Sequence, residues 1–159
     1  MRHTKLTLAA LLLAAAPVVA EEVAPDMVKF DDAGAVEQSL TGVPGNPEEG
    51  AKVVSTKSIG NCVACHTIAQ LPNVAFQGNV GPELSWTGEN RTEAELRGIL
   101  TNSKKTFDGT IMPAYYKTSG YVRPGEGFTK KPAAEPLPPL LTAQQIEDTI
   151  AFLMTLKDK

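Results

Sequence analysis

Cys62-Val63-Ala64-Cys65-His66 places two thiols three positions apart and an imidazole directly after the second. This C-x-x-C-H spacing points to a covalently attached c-type haem. Two thiols on one helical turn reach the two vinyl groups of a porphyrin as thioethers, and the adjacent imidazole can face the iron. A structural disulfide, a thioredoxin-like dithiol and half of a zinc site are the other uses of such a pair. Zinc needs three or four ligands drawn mostly from Cys and His, yet the rest of the chain holds no Cys and one further histidine, His3. A thioredoxin-type motif belongs beside βαβ patterning, and no alternation of strand and helix surrounds this one.

The N-terminus reads as an export signal over residues 1–20. Arg2 and Lys5 form a basic start, Leu6 to Ala16 is apolar apart from Thr7, and Val18-Val19-Ala20 presents short side chains for cleavage. The apolar run is too short to span a bilayer. Export places the chain in the periplasm, where covalent haem attachment takes place in bacteria. Cleavage after Ala20 leaves 139 of the 159 residues and removes His3, so that His66 becomes the one histidine. Fifteen basic residues fall to thirteen against eighteen acidic ones, a net charge of −5. No basic stripe suggests nucleic acid, and no second apolar run suggests a membrane span.

Residues 21–45 form an N-terminal extension with scattered apolar positions (Val28, Phe30, Val36, Leu40) and no sustained period. It lies across the body, lies against a partner, or is a plain tail. Organisation begins at residue 46, and residues 46–159 form one domain. Asn46 as N-cap, Pro47 at the first helical position and Glu49 as capping-box partner predict a helix from Pro47 to about Lys57. Gly50 inside it costs about 1 kcal/mol relative to Ala, which a close helix crossing near Phe152 would explain. Thr92 to Glu95 is a second capping box, opening a helix with Leu96, Ile99 and Leu100 on one face and ending near Asn102 or Ser103. A third, Thr142 with Gln145, opens a helix carrying Ile146, Ile150, Leu153 and Leu156 at helical spacing. Between them Ala114 to Leu141 is a long Gly- and Pro-rich segment with Tyr115, Tyr116, Tyr121, Arg123, Phe128, Lys130 and Lys131. Within it Tyr115 to Lys131, with Glu21 to Val43 as a candidate addition, is read as much of a docking surface for a partner, since so long a loop is usually functional and Tyr and Arg favour interfaces.

With His66 as proximal ligand and no other histidine after cleavage, methionine is the best candidate for the sixth position. Met27 lies in the irregular extension and Met154 on the last helix, where packing explains it. Met112 stands in a loop, held extended by Pro113, and is the preferred ligand. A thioether favours ferrous iron more than imidazole does, so a His/Met site has a raised potential and accepts electrons. With both thiols bound to haem and no second histidine, no catalytic residue is expected on this chain. Trp86 packs either on a haem edge or in the ordinary core.

From Asn46 to Lys159 this arrangement resembles the class I cytochromes c, which implies an all-α fold of short helices around one covalent haem c. In that class a Gly-Pro pair after the haem motif offers its carbonyl to the second imidazole nitrogen, and Gly81-Pro82 matches it, implying that role for Pro82. Further residues are Gly81-Pro82-Glu83-Leu84-Ser85, Met112-Pro113-Ala114-Tyr115-Tyr116 and Gly120-Tyr121-Val122-Arg123. Leu141-Thr142-Ala143-Gln144-Gln145-Ile146-Glu147-Asp148 and Ala151-Phe152-Leu153-Met154-Thr155-Leu156 complete the set. Together they look like the SoxX family, the monohaem subunits of the SoxAX cytochromes of bacterial sulfur oxidation. The Pro-rich stretch from Lys131 to Pro139 is longer than the family pattern. The resemblance implies a heterodimer with a SoxA-type haem protein that oxidatively couples thiosulfate to a cysteine of the SoxYZ carrier. The sulfur chemistry then belongs to SoxA, and this chain passes electrons to a small soluble cytochrome. A free-standing periplasmic shuttle and a haem-based ligand binder are the alternatives.

Overall fold

The computed structural model describes residues 21–122, 124–126, 129–133 and 136–157. The export segment with His3, and Arg123 and Phe128 of the long loop, lie outside the described residues. The regular elements are helical: α1 (Pro47–Ser55), α2 (Thr87–Asn90), α3 (Glu93–Asn102) and α4 (Ala143–Met154), with 3-10 turns at Pro25–Met27, Cys62–Ala64 and Ser103–Lys105. The described β pairing is an isolated antiparallel bridge between Gly125 and Pro132.

Local chemistry starts each long helix. Thr92 and Thr142 form complete capping boxes with Glu95 and Gln145, as their spacing predicts. At α1 the Asn46 carboxamide oxygen accepts from the N–H groups of Glu48 at 2.9 Å and Glu49 at 3.4 Å. The reciprocal half of the expected box does not form. The Asn46 N–H instead donates to Asp148 Oδ1 of α4 at 2.8 Å, and Glu49 turns outward to Lys52. A carboxylate brought in by packing is the stronger acceptor, because a charged partner shortens and strengthens the bond. The helix also ends at Ser55, two residues short of Lys57. The Thr56 carbonyl is taken there by the N–H groups of Ile59 at 3.0 Å and Asn61 at 3.2 Å, which turns the chain.

α1 crosses α4 at Gly50, where an added Cβ would fall on the Asp148 carbonyl oxygen and lie 2.8 Å from Phe152 Cβ. The crossing expected from the sequence is therefore the reason for that glycine. Val53 and Val54 of α1, Leu96 and Leu100 of α3, and Ile146, Ile150 and Leu153 of α4 are buried around it with Leu40, Ile68, Leu141 and Leu156. Each side chain of this kind contributes about 1.5–3 kcal/mol on full burial.

Of the three readings for residues 21–45, the structure has the extension lying across the body. Val36 and Leu40 are buried, the Val36 N–H donates to the Ala94 carbonyl at 3.0 Å, and the Val23 N–H donates to the Leu40 carbonyl at 2.8 Å. The fastening is ionic at its centre. Arg97, on the α3 face beside the apolar positions, is buried and bidentate to Glu147 of α4, with Nε to Oε1 at 2.8 Å and Nη2 to Oε2 at 3.0 Å. Its Nη1 donates to the Val36 carbonyl at 2.9 Å, and Glu147 Oε1 also accepts from the Leu40 N–H at 2.8 Å.

Two of the tyrosines in the segment expected to dock turn inward: Tyr115 and Tyr116 are buried, and each phenol finds an internal acceptor. The Tyr116 hydroxyl donates to the Val23 carbonyl at 2.8 Å, with Glu22 Oε1 also within reach at 2.9 Å. Tyr121 stays partly exposed, its hydroxyl on the Lys117 carbonyl at 2.7 Å.

Candidate haem site

Asn61, at φ 49°, turns the chain through the left-handed region, which Asn tolerates because its short amide can bond locally. The next residues wind into the Cys62–Ala64 turn, where the Cys62 carbonyl accepts from the N–H groups of Cys65 at 3.1 Å and His66 at 3.0 Å. Both cysteines are free thiols, Cys62 buried and Cys65 exposed. Burial pushes the Cys62 thiol up to about 11. A redox dithiol needs its thiol pKa lowered, so this environment disfavours thioredoxin-like chemistry. Among the described residues no group of three or more His, Cys, Asp and Glu could hold a metal ion by itself.

His66 Nδ1 lies 2.7 Å from the Pro82 carbonyl oxygen. A carbonyl can only accept, so Nδ1 carries the proton and Nε2 keeps a free lone pair, the tautomer a metal ligand requires. The ring stacks so closely over Gly81 that an added Cβ there would lie 2.6 Å from Nδ1 and 2.7 Å from Nε2. Short bonds tie the loop between back to the motif. The Gly78 N–H donates to the Val63 carbonyl and the Gly81 N–H to the Cys65 carbonyl, both at 2.8 Å. Gln77 staples the loop from inside, accepting from the Ile68 N–H at 2.6 Å and donating to the Leu71 carbonyl at 2.8 Å. Nothing in the sequence around Gln77 signals this role.

Met112, in its loop, and Met154, the last residue of α4, are both half-buried against the core, whereas Met27 is exposed. The Met112 carbonyl accepts from Ser103 Oγ at 2.8 Å and from Lys104 Nζ, and its N–H donates to Thr110 Oγ1 at 3.2 Å. Three residues on, the Tyr115 hydroxyl donates to the Gly60 carbonyl at 3.2 Å. Burial raises the Tyr115 pKa above the usual phenol value, so the hydroxyl stays a donor. Cys62, Cys65, His66 and Pro82 thus form one bonded group, and Tyr115 of the segment that follows Met112 bonds to Gly60, two residues before Cys62.

These residues fit a covalent haem. Two unpaired thiols sit one turn apart, the adjacent imidazole has its outer nitrogen free, and the flanking segments leave large apolar side chains uncovered. Phe76 and Val80 on the loop after His66 are 96% and 65% exposed, and Ile111 beside Met112 is 80% exposed. Trp86 is 42% exposed, so it is not the ordinary core residue that was one of its two readings.

The sequence pattern of the cytochrome c family matches residues 47–157, and the chain belongs to that family. Its helices and their order give it the all-α fold of the class I cytochromes c. Among solved structures, the crystal structure of SoxXA from P. pantotrophus contains a chain 58% identical to this one, with a TM-score of 0.82. The match covers 86% of this chain and 99% of that one, and it makes this chain a SoxX-type cytochrome. No curated protein matches it.

Proposed function

We propose that this chain is a periplasmic electron-transfer subunit that binds one haem c through Cys62 and Cys65, with His66 and Met112 as axial ligands, and pairs with a SoxA-type haem protein. The carrying observation is the 58% identity over nearly all of a chain solved as part of SoxXA. The His66–Pro82 geometry supports it on this chain's own atoms. Residues 1–20 act as the export signal, and among the described residues no helix is long and apolar enough to cross a membrane.

Bound haem supplies a one-electron iron couple. The protein's part is to hold and tune it. Cys62 and Cys65 would fix the group covalently, the Pro82 carbonyl holds the His66 ring in the tautomer that could ligate it, and a Met112 thioether ligand would favour the reduced state. In this reading the coupling of thiosulfate to a SoxYZ-type carrier cysteine falls to the partner, while this chain receives electrons and hands them to a small soluble cytochrome.

Purification from native periplasm tests the assembly. The chain should co-elute with a second haem protein, and thiosulfate should reduce its haem only when that partner and the carrier are both present. A monomer reduced equally fast without the partner would make it a free-standing shuttle. The ligand assignment has its own test. Met112→Ala should abolish the weak red absorption of a ferric iron–sulfur bond and admit cyanide or carbon monoxide, whereas Met154→Leu should leave the spectrum unchanged. The reverse pattern would move the ligand to α4.

A further inference from the structure

We propose that Ser103, assisted by Lys104, is the positioning residue for the sixth ligand, setting how firmly Met112 holds the iron against competing ligands. The inference rests on Met112 as that ligand and adds what keeps it in place.

Ser103 is fully buried in the turn that follows α3, a place where an apolar residue or Ala would fill the space without an unpaired hydroxyl. Its hydroxyl proton goes to the Met112 carbonyl at 2.8 Å. Its own carbonyl accepts from the N–H groups of Phe107 at 2.9 Å and Thr106 at 3.2 Å. Ser103 thus closes the loop of residues 103–112 at both ends. Lys104 reaches over the same loop to the same carbonyl.

Nothing else regular holds the methionine backbone. Pro113 has no N–H to offer, and the Met112 N–H goes to the Thr110 side chain. The next backbone bonds are two and three residues beyond the proline, from the Tyr115 N–H to the Leu100 carbonyl at 3.1 Å and from the Tyr116 N–H to the Thr101 carbonyl at 3.2 Å. A tethered thioether competes with outside ligands through its effective concentration at the iron, which falls as its tether loosens. The Met112 carbonyl is the pivot of that tether, and Ser103 is its buried anchor.

The experiment is a titration of imidazole against the ferric, haem-loaded mature protein, with the red iron–sulfur absorption recorded alongside. Ser103→Ala should bind imidazole about tenfold more tightly than wild type, equivalent to about 1.4 kcal/mol, while retaining a weakened red absorption. Lys104→Met, on an exposed side chain that the fold does not need, should tighten binding about threefold. Met112→Ala serves as the reference and should lose the red absorption altogether. If Met112→Ala changes neither the absorption nor imidazole affinity, the ligand reading itself falls. If Met112→Ala behaves as expected but Ser103→Ala stays within twofold of wild type, the positioning role is overturned, even where thermal stability drops. Should Ser103→Ala fail to accumulate, an unchanged affinity in Lys104→Met overturns the proposal.

Discussion

Glu147→Ala is expected to lower the unfolding free energy by about 3–5 kcal/mol, the usual cost of removing one partner of a buried ion pair. The Arg97 guanidinium would lose both of its hydrogen bonds to Glu147 while its side chain is 6% exposed, keeping as counter-charge only the solvated Glu93 carboxylate at 3.8 Å, and the Leu40 N–H would lose its acceptor. For a domain of this size the melting temperature should fall by roughly 10–20 °C. Thermal unfolding of the haem-loaded protein measures it. The extension should loosen with it, since Leu40 is bonded to Glu147 and Val36 to Arg97, so limited proteolysis should cut residues 21–45 faster. Replacing both partners by apolar residues, Arg97→Met with Glu147→Leu, should recover much of the loss because no charge is then stranded. A loss below about 1 kcal/mol in Glu147→Ala would mean that water reaches the guanidinium and that the pair behaves like one on the surface.

Gly81→Ala should strike the site rather than the fold. The new methyl would enter the space of the His66 ring, so the ring must turn and give up its 2.7 Å bond to the Pro82 carbonyl. Partners of this kind are typically worth 10–100-fold in metal affinity, so the low-spin, histidine-ligated fraction should drop by about that factor in the binding equilibrium. Haem attachment through Cys62 and Cys65 should persist, because the thioethers do not depend on the ring. Pro82→Ala is the informative comparison: it retains the carbonyl and should perturb the spectrum far less. An unaltered low-spin spectrum in Gly81→Ala would show that the ring can shift without losing the iron.

Much of the candidate site was readable without coordinates, for a definite reason. The attachment motif spans five residues, and its chemistry depends on spacing along one turn, which the Cys62–Ala64 turn reproduces. Pro82 was placed by resemblance, and the 2.7 Å bond to His66 gives that placement a geometry. Ser103 and Gln77 were invisible. Each bonds across a loop through its side chain, Ser103 donating to the Met112 carbonyl and Gln77 accepting from Ile68 while donating to Leu71, and no periodicity marks such pairings. Composition alone could not say which tyrosines of the long loop point inward. Tyr115 and Tyr116 turn inward since Gly60 and Val23 offer carbonyls there, and Arg123 and Phe128 lie outside the described residues.

What the sequence by itself determined is mostly settled within about one helical turn: the C-x-x-C-H turn, the two capping boxes that open α3 and α4, and the apolar stripes. Gly50 belongs there too, since a glycine in a helix facing an apolar partner predicts a close crossing. Tertiary structure alone decided that the extension is strapped to the body and that Arg97 meets Glu147, fifty residues away along the chain. It also took the Asn46 N–H from Glu49 and gave it to Asp148. Local bonds are chosen by neighbours the chain always has. Bonds across the fold exist only after burial removes competing water, which makes a distant carboxylate a better partner than a nearby solvated one.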